Sequence, residues 1–81
     1  MKTKRRVKFT FSQQLITEPI IYVLGREFDV VTNIRRADVR EDMGWVVLEM
    51  EGEEEEITRA LDWVASKGVR IDPVIGDMIE G

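Results

Sequence analysis

From Arg6 to Phe11 apolar and polar side chains alternate, and from Ile20 the apolar spacing lengthens to that of a helix. This change of period constrains the fold most. Alternation buries one face of a strand, whereas a repeat of about 3.6 residues buries one stripe of a helix. Val7, Phe9 and Phe11 share one face of the first strand, with Lys8 and Thr10 on the other. Ser12-Gln13-Gln14 breaks the alternation and reads as a loop. Thr17 is read as an N-cap, with Pro19 in the first helical turn, where its missing N–H matters little. Ile20, Val23 and Leu24 form the helical stripe, and Phe28 completes it.

Val30 to Val39 reads as the second strand. Val30, Thr32 and Ile34 share one face, and Val31, Asn33, Arg35, Ala37 and Val39 the other. Apolar residues on both faces and a shift near Arg35-Arg36 predict a bulge or partners on both sides. Glu41-Asp42-Met43-Gly44 is expected to be a hairpin loop. Trp45 to Met50 is the third strand, ended by Gly52. Glu53 to Glu56 open the next helix, where carboxylates complement the positive end of the helix dipole. Ile57, Ala60, Leu61 and Val64 are its core stripe, and Gly68 follows it in the left-handed position. Val69-Arg70-Ile71 is the last strand, an edge strand because Pro73 limits it.

The order β-α-β-β-α-β, with two right-handed crossovers, predicts an α+β fold. It is the ferredoxin-like sandwich, one four-stranded antiparallel sheet with two helices on one face. Phe9 and Leu61 are expected in its core. Trp45 and Val47 should project from the open face with Val31 and Asn33. An apolar patch there predicts self-association through the open sheet face or an edge strand, with Trp45 and Val47 in or beside a two-fold contact.

The 81 residues are expected to form a single domain, 1–81, with its core at about 6–75. The absence of cysteine excludes disulfides, thiolate metal ligation and thiol catalysis, and the absence of histidine removes the commonest general base. No phosphate loop or activated nucleophile is visible, so neither catalysis nor a cofactor is expected. Six glutamates between Glu49 and Glu56 lie on diverging side chains and are not expected to hold a metal. Lys2, Lys4, Arg5, Arg6 and Lys8 are read as a solubilising edge and tail. Net charge is −4 and no aromatics interleave with the basic cluster, so no nucleic acid is expected. No apolar run reaches the length of a membrane span, and no signal-peptide core follows the basic start. Membrane insertion is therefore not expected, and a cytoplasmic location is.

Asn33 is the residue most in need of a reason. Asn is depleted in strands and costs free energy when buried without partners. It either contacts a ligand or is satisfied by the neighbouring strand or a bulge.

The opening strand Val7-Lys8-Phe9-Thr10-Phe11, Glu18-Pro19-Ile20-Ile21, Phe28-Asp29-Val30-Val31-Thr32-Asn33-Ile34, Gly44 to Gly52 and Ala60-Leu61-Asp62-Trp63-Val64 carry a resemblance in their joint order and spacing. Together they resemble the NIL domain family over about Arg6 to Ile75. Arg35 stands where the name-giving Asn-Ile-Leu signature has Leu. The family includes regulatory domains of methionine-importing ABC transporter ATPases, where the domain binds methionine at a dimer interface and inhibits transport. It also includes domains of ferredoxins linked to sulfur assimilation, and free-standing proteins. The resemblance implies a non-catalytic homodimer binding methionine or a related sulfur amino acid. Asn33, Ile34, Val31, Arg35 and Met43 are then the ligand-binding candidates. Asn33 would hold the polar end, and Ile34, Val31 and Met43 would line a thioether pocket. Arg35 either pairs with the ligand carboxylate or reaches solvent. The alternative is an adaptor that docks on a ferredoxin or a homocysteine-forming, sulfur-assimilation enzyme and binds no small molecule.

Overall fold

In the computed structural model residues 2–75 are described. The elements are β1 (Lys2–Ser12), α1 (Gln13–Ile16), α2 (Ile20–Glu27), β2 (Val30–Val39), β3 (Met43–Glu53), α3 (Glu54–Ser66) and β4 (Arg70–Pro73). The four strands form one antiparallel sheet in the order β2-β3-β1-β4. This is the expected ferredoxin-like topology, with an added helical turn, α1. The long edge is β2 and the short edge β4.

The central pair, β1 and β3, is longer at both ends than the alternation alone indicates. Its ladder runs from Lys2 opposite Glu53 to Ser12 opposite Met43. The basic start is thus neither tail nor edge. Lys2, Lys4 and Arg6 lie opposite Glu53, Glu51 and Glu49, so the basic and acidic runs are cross-strand complements. Gly52 lies inside β3 rather than ending it, and the hairpin turn narrows to Arg40–Asp42, closed by Arg40 N–H donating to the Met43 carbonyl at 2.8 Å. Gln13 to Ile16 coil into α1 because Leu15 and Ile16 turn back onto the core. Thr17 therefore ends α1, and Pro19 takes the N-cap position of α2 with no side-chain cap bond.

Val7, Phe9, Phe11, Val46, Leu48 and Met50 supply the sheet side of the core, and Ile20, Leu24, Ile57, Ala60 and Val64 the helix side. Phe9 and Phe11 pack edge to face, centroids 6.2 Å apart. Phe9 is buried as expected. Leu61 is not; it is half-buried and only packs against the core rim, because α3 turns Ala60 and Val64 onto the sheet instead. Trp63 packs on Phe28 at 5.9 Å and carries Lys67 over its ring at 5.5 Å. Gly68 takes φ of 93°, ending α3 as its position predicts.

Two contacts seat β2. A Cβ on Gly52 would approach the Asp29 carbonyl oxygen at 2.9 Å and Val30 Cγ1 at 3.2 Å, so only glycine admits the start of β2 this close. Glu56, in the first turn of α3, accepts from Asp29 N–H at 2.9 Å and from Arg59 at 2.6 Å. The acidic run is thus used in part as a clamp on the α2–β2 turn. Among the described residues no group of carboxylates is placed to hold a metal ion, and no helix is long and apolar enough to cross a membrane.

Urea unfolding checks this packing. Leu48→Ala is expected to lose about 2–5 kcal/mol, because Leu48 is wholly enclosed. Leu61→Ala should lose about 1–2 kcal/mol, in line with its partial burial. Equal losses would contradict the orientation of α3. Gly52→Ala should lose about 1–3 kcal/mol by pushing β2 away from β3, and a neutral result would contradict the close approach at Asp29.

Candidate functional site

The edge strand β2 carries the candidate residues. Its register against β3 slips between Ile34 and Arg36, leaving Arg35 as the extra residue of a bulge. The slip changes which side chains share a face. Val30, Thr32 and Ile34 lie opposite Gly52, Met50 and Leu48, and past the bulge Ala37 and Val39 lie opposite Val46 and Gly44. All five therefore share the helix side of the sheet. Val31, Asn33, Arg36 and Asp38 lie opposite Glu51, Glu49, Val47 and Trp45, on the open side. The expected grouping of Ala37 and Val39 with Asn33 is thus corrected by the bulge.

The helices do not cover the far half of β2. Ile34 is 61% exposed and Val39 58% exposed, although both lie on the helix side, and Ala37 is exposed between them. Val31 on the open side is 58% exposed. Asn33 is exposed, and no hydrogen bond holds its amide among the described residues. It is therefore not a structural amide satisfied by a neighbouring strand or by the bulge.

Asn33, Ile34, Val31 and Arg35 are brought together along one stretch of edge, with Asn33 and Val31 on one face and Ile34 on the other. Met43 is not brought to them. It lies opposite Ser12, six residues along β3 from Glu49, the partner of Asn33. That separation is roughly 20 Å at about 3.3 Å per residue.

The open face differs from its expectation. Val47 does project there, yet it is only 2% exposed in the single chain. Its cross-strand neighbours are Lys8 and Arg36, whose long apolar stems flank it. Trp45 is half-buried, with Lys8 Nζ 5.2 Å from its ring. Beside them Arg6 pairs with Glu49 at 3.4 Å, and Arg70 with Asp72 at 3.1 Å. The face is a lattice of opposite charges over a small apolar floor, not the apolar patch expected around Trp45 and Val47.

A second feature escaped the sequence reading. An apolar groove of about 220 Å³ opens on the helix side, where α1 and α2 meet the end of β2. Phe11, Ile20, Ile21, Tyr22, Val39 and Val46 are among its lining residues. None of the five ligand candidates lines it. Its sequence signal was Tyr22 and Val39, apolar residues to which the expected stripes gave no inward place. Arg36, too, was passed over, because its face could not be assigned until the bulge was placed.

No curated protein matches this chain. Among solved structures it resembles the C-terminal domain of an ABC transporter ATP-binding protein from Enterococcus faecalis. The two are 22% identical with a TM-score of 0.75, over 91% of this chain and 86% of that one. At that identity the likeness shows the fold alone. The family profile of the NIL domain matches residues 5–78, nearly the whole chain, with β2 and its Asn33-Ile34 pair inside the match. The chain belongs to the NIL domain family.

Proposed function

We propose that this domain is a non-catalytic regulatory module that binds methionine or a related sulfur amino acid at the β2 edge, near the contact between two copies. One observation carries the reading. Asn33 is an exposed amide with no structural use, flanked by the exposed apolar side chains of Val31 and Ile34 and followed by Arg35 and Arg36. An amide that donates and accepts, beside cations and apolar carbons, suits a zwitterion with a thioether tail. A monomer leaves this edge open to water on one side, so a second copy is needed to enclose a ligand there. Membership of the NIL domain family, which includes regulatory domains of ABC transporter ATPases, supports the regulatory part of the reading.

Titration calorimetry with L-methionine and homocysteine tests it. Binding should be micromolar or weaker, because so small a ligand offers few atoms for contact. Asn33→Ala should lower affinity roughly ten- to hundredfold, since it leaves a ligand group unpaired at about 1–3 kcal/mol. The residue is exposed, so the variant should unfold at the same urea concentration as wild type. No heat with either ligand at millimolar concentration would refute the sensor reading and leave the adaptor on a sulfur-assimilation enzyme or ferredoxin in its place.

A further inference from the structure

The helix layer is incomplete over part of the sheet. A helix about 10 Å wide covers roughly two strands spaced about 4.8 Å apart, so two helices cover four strands only if each sits squarely over its pair. Here they do not. The buried residues of α2 and α3 meet the wall built by β1, β3 and the start of β2. The far half of β2 is left bare, with Ile34, Ala37 and Val39 exposed on the helix side. Val39 also lines the apolar groove of about 220 Å³, together with Ile21 and Tyr22 of α2. Groove and bare strand are thus one trough. From Ile34 to Val39 it runs roughly 17 Å at about 3.3 Å per residue, the length of about three helical turns. Its width and length are those of one further helix, the element that would complete the layer.

The hairpin end of the trough is acidic. Glu18 is the charged residue that lines the groove. Glu41 and Asp42 stand in the turn between Val39 and Gly44, which line it as well. All three carboxylates are exposed and have no ion pair among the described residues. Arg40, the cation of the turn, is taken by Asp38 at 3.3 Å. An apolar floor with an uncompensated acidic end calls for an occupant that is apolar along one side and basic over the hairpin.

This chain does not supply one. Its basic segment is held in β1, where Lys2, Lys4 and Arg6 lie opposite Glu53, Glu51 and Glu49. The exposed side of α3 carries Glu54, Glu55 and Asp62. The residues after Ile75 include Asp77 and Glu80. They follow Val74, whose N–H donates to the Arg6 carbonyl, well along β1 from Phe11 at the groove. A second copy, or this chain's own end, would bring negative charge where positive charge is called for.

We infer that the trough between α2 and the far half of β2 receives an amphipathic helix of a different protein, apolar along one stripe and carrying Lys or Arg in the turn that lies over Glu18, Glu41 and Asp42. Apolar residues of that helix at i, i+3 or i+4, and i+7 would face Ile34, Ala37, Val39 and Tyr22. The inference does not rest on the amino-acid reading, because Asn33 and Val31 lie on the other side of the sheet.

The probe is a synthetic helical peptide of about 14 residues, with leucines at that spacing and lysines in one terminal turn. Calorimetry should give a dissociation constant on the order of tens of micromolar. Replacing the lysines of the peptide with glutamates should weaken binding at least about tenfold. Ala37→Glu sets a charge on the floor of the trough at an exposed position. It should keep the wild-type urea midpoint and weaken binding at least about tenfold. Glu18→Gln should weaken binding about threefold, whereas Asp62→Asn, which removes the same charge from the exposed side of α3, should not. No binding of the lysine peptide at hundreds of micromolar, or equal binding of the glutamate peptide, overturns the inference. So does an Ala37→Glu variant that folds and binds as well as wild type. Equal losses from Glu18→Gln and Asp62→Asn would reduce the attraction to net charge and overturn the acidic end as its cause. If Ale37→Glu changes the sedimentation of the chain alone while the peptide does not bind, a second copy is the occupant and the inference falls.

Discussion

The ladder between β1 and β3 is the contact on which everything else rests. It aligns two chain segments over their whole length, from Lys2 opposite Glu53 to Ser12 opposite Met43. On one side the alignment builds a wall of Val7, Phe9, Val46, Leu48 and Met50 for the helices to cover. On the other it sets a basic strand against an acidic one. A slip of one residue would invert both faces, so apolar burial and charge pairing enforce the same register. The edge strands are added to this pair. The short one, β4, meets β1 only from Val7 to Thr10, and the long one, β2, meets β3 along its full length apart from the bulge.

Most of the architecture was legible because each element carried a clean period. Val7, Phe9 and Phe11 identify β1, Val46, Leu48 and Met50 identify β3, and Ile57, Ala60 and Val64 identify α3. The bounds of β2 and its irregularity near Arg35 were also legible, since the apolar residues change phase there. Periodicity could not say how far a strand extends once its residues become uniformly charged. Lys2 to Arg5 and Glu51 to Glu53 look like surface in isolation and become strand only when set against each other. Leu61 shows a second limit. A helical stripe is wider than the surface it meets, and only the docking of α3 decides that Leu61 lies at its rim.

The candidate site was legible in part. Asn33 stood out because an amide needs a reason to sit in a β-branched strand, and the structure places it on an exposed edge with no internal role. The residues said to gather around it came from chain order, which does not encode distance across a sheet. Met43 lies near Asn33 in sequence but at the far end of the hairpin. Val47 was placed on the correct face, yet alternation cannot reveal that long side chains on β1 and β2 would close over it. The groove near Val39 depends on α1, a single turn too short to leave a periodic signal.

The charge lattice of the open face also bears on how the molecule meets others of its kind. Sheets with bare apolar faces stack, and stacking has no natural end. Here a second sheet laid flat on the first would have to strip water from Lys8, Arg6, Glu49, Arg70 and Asp72 at once, with no geometry that repairs every pair. Flat stacking is thereby made unfavourable, and encounters are channelled toward the rim of the sheet. At that rim lie the long edge strand, β2, and the short, proline-ended one, β4. The charged face thus works against stacking of sheet on sheet as much as it holds water.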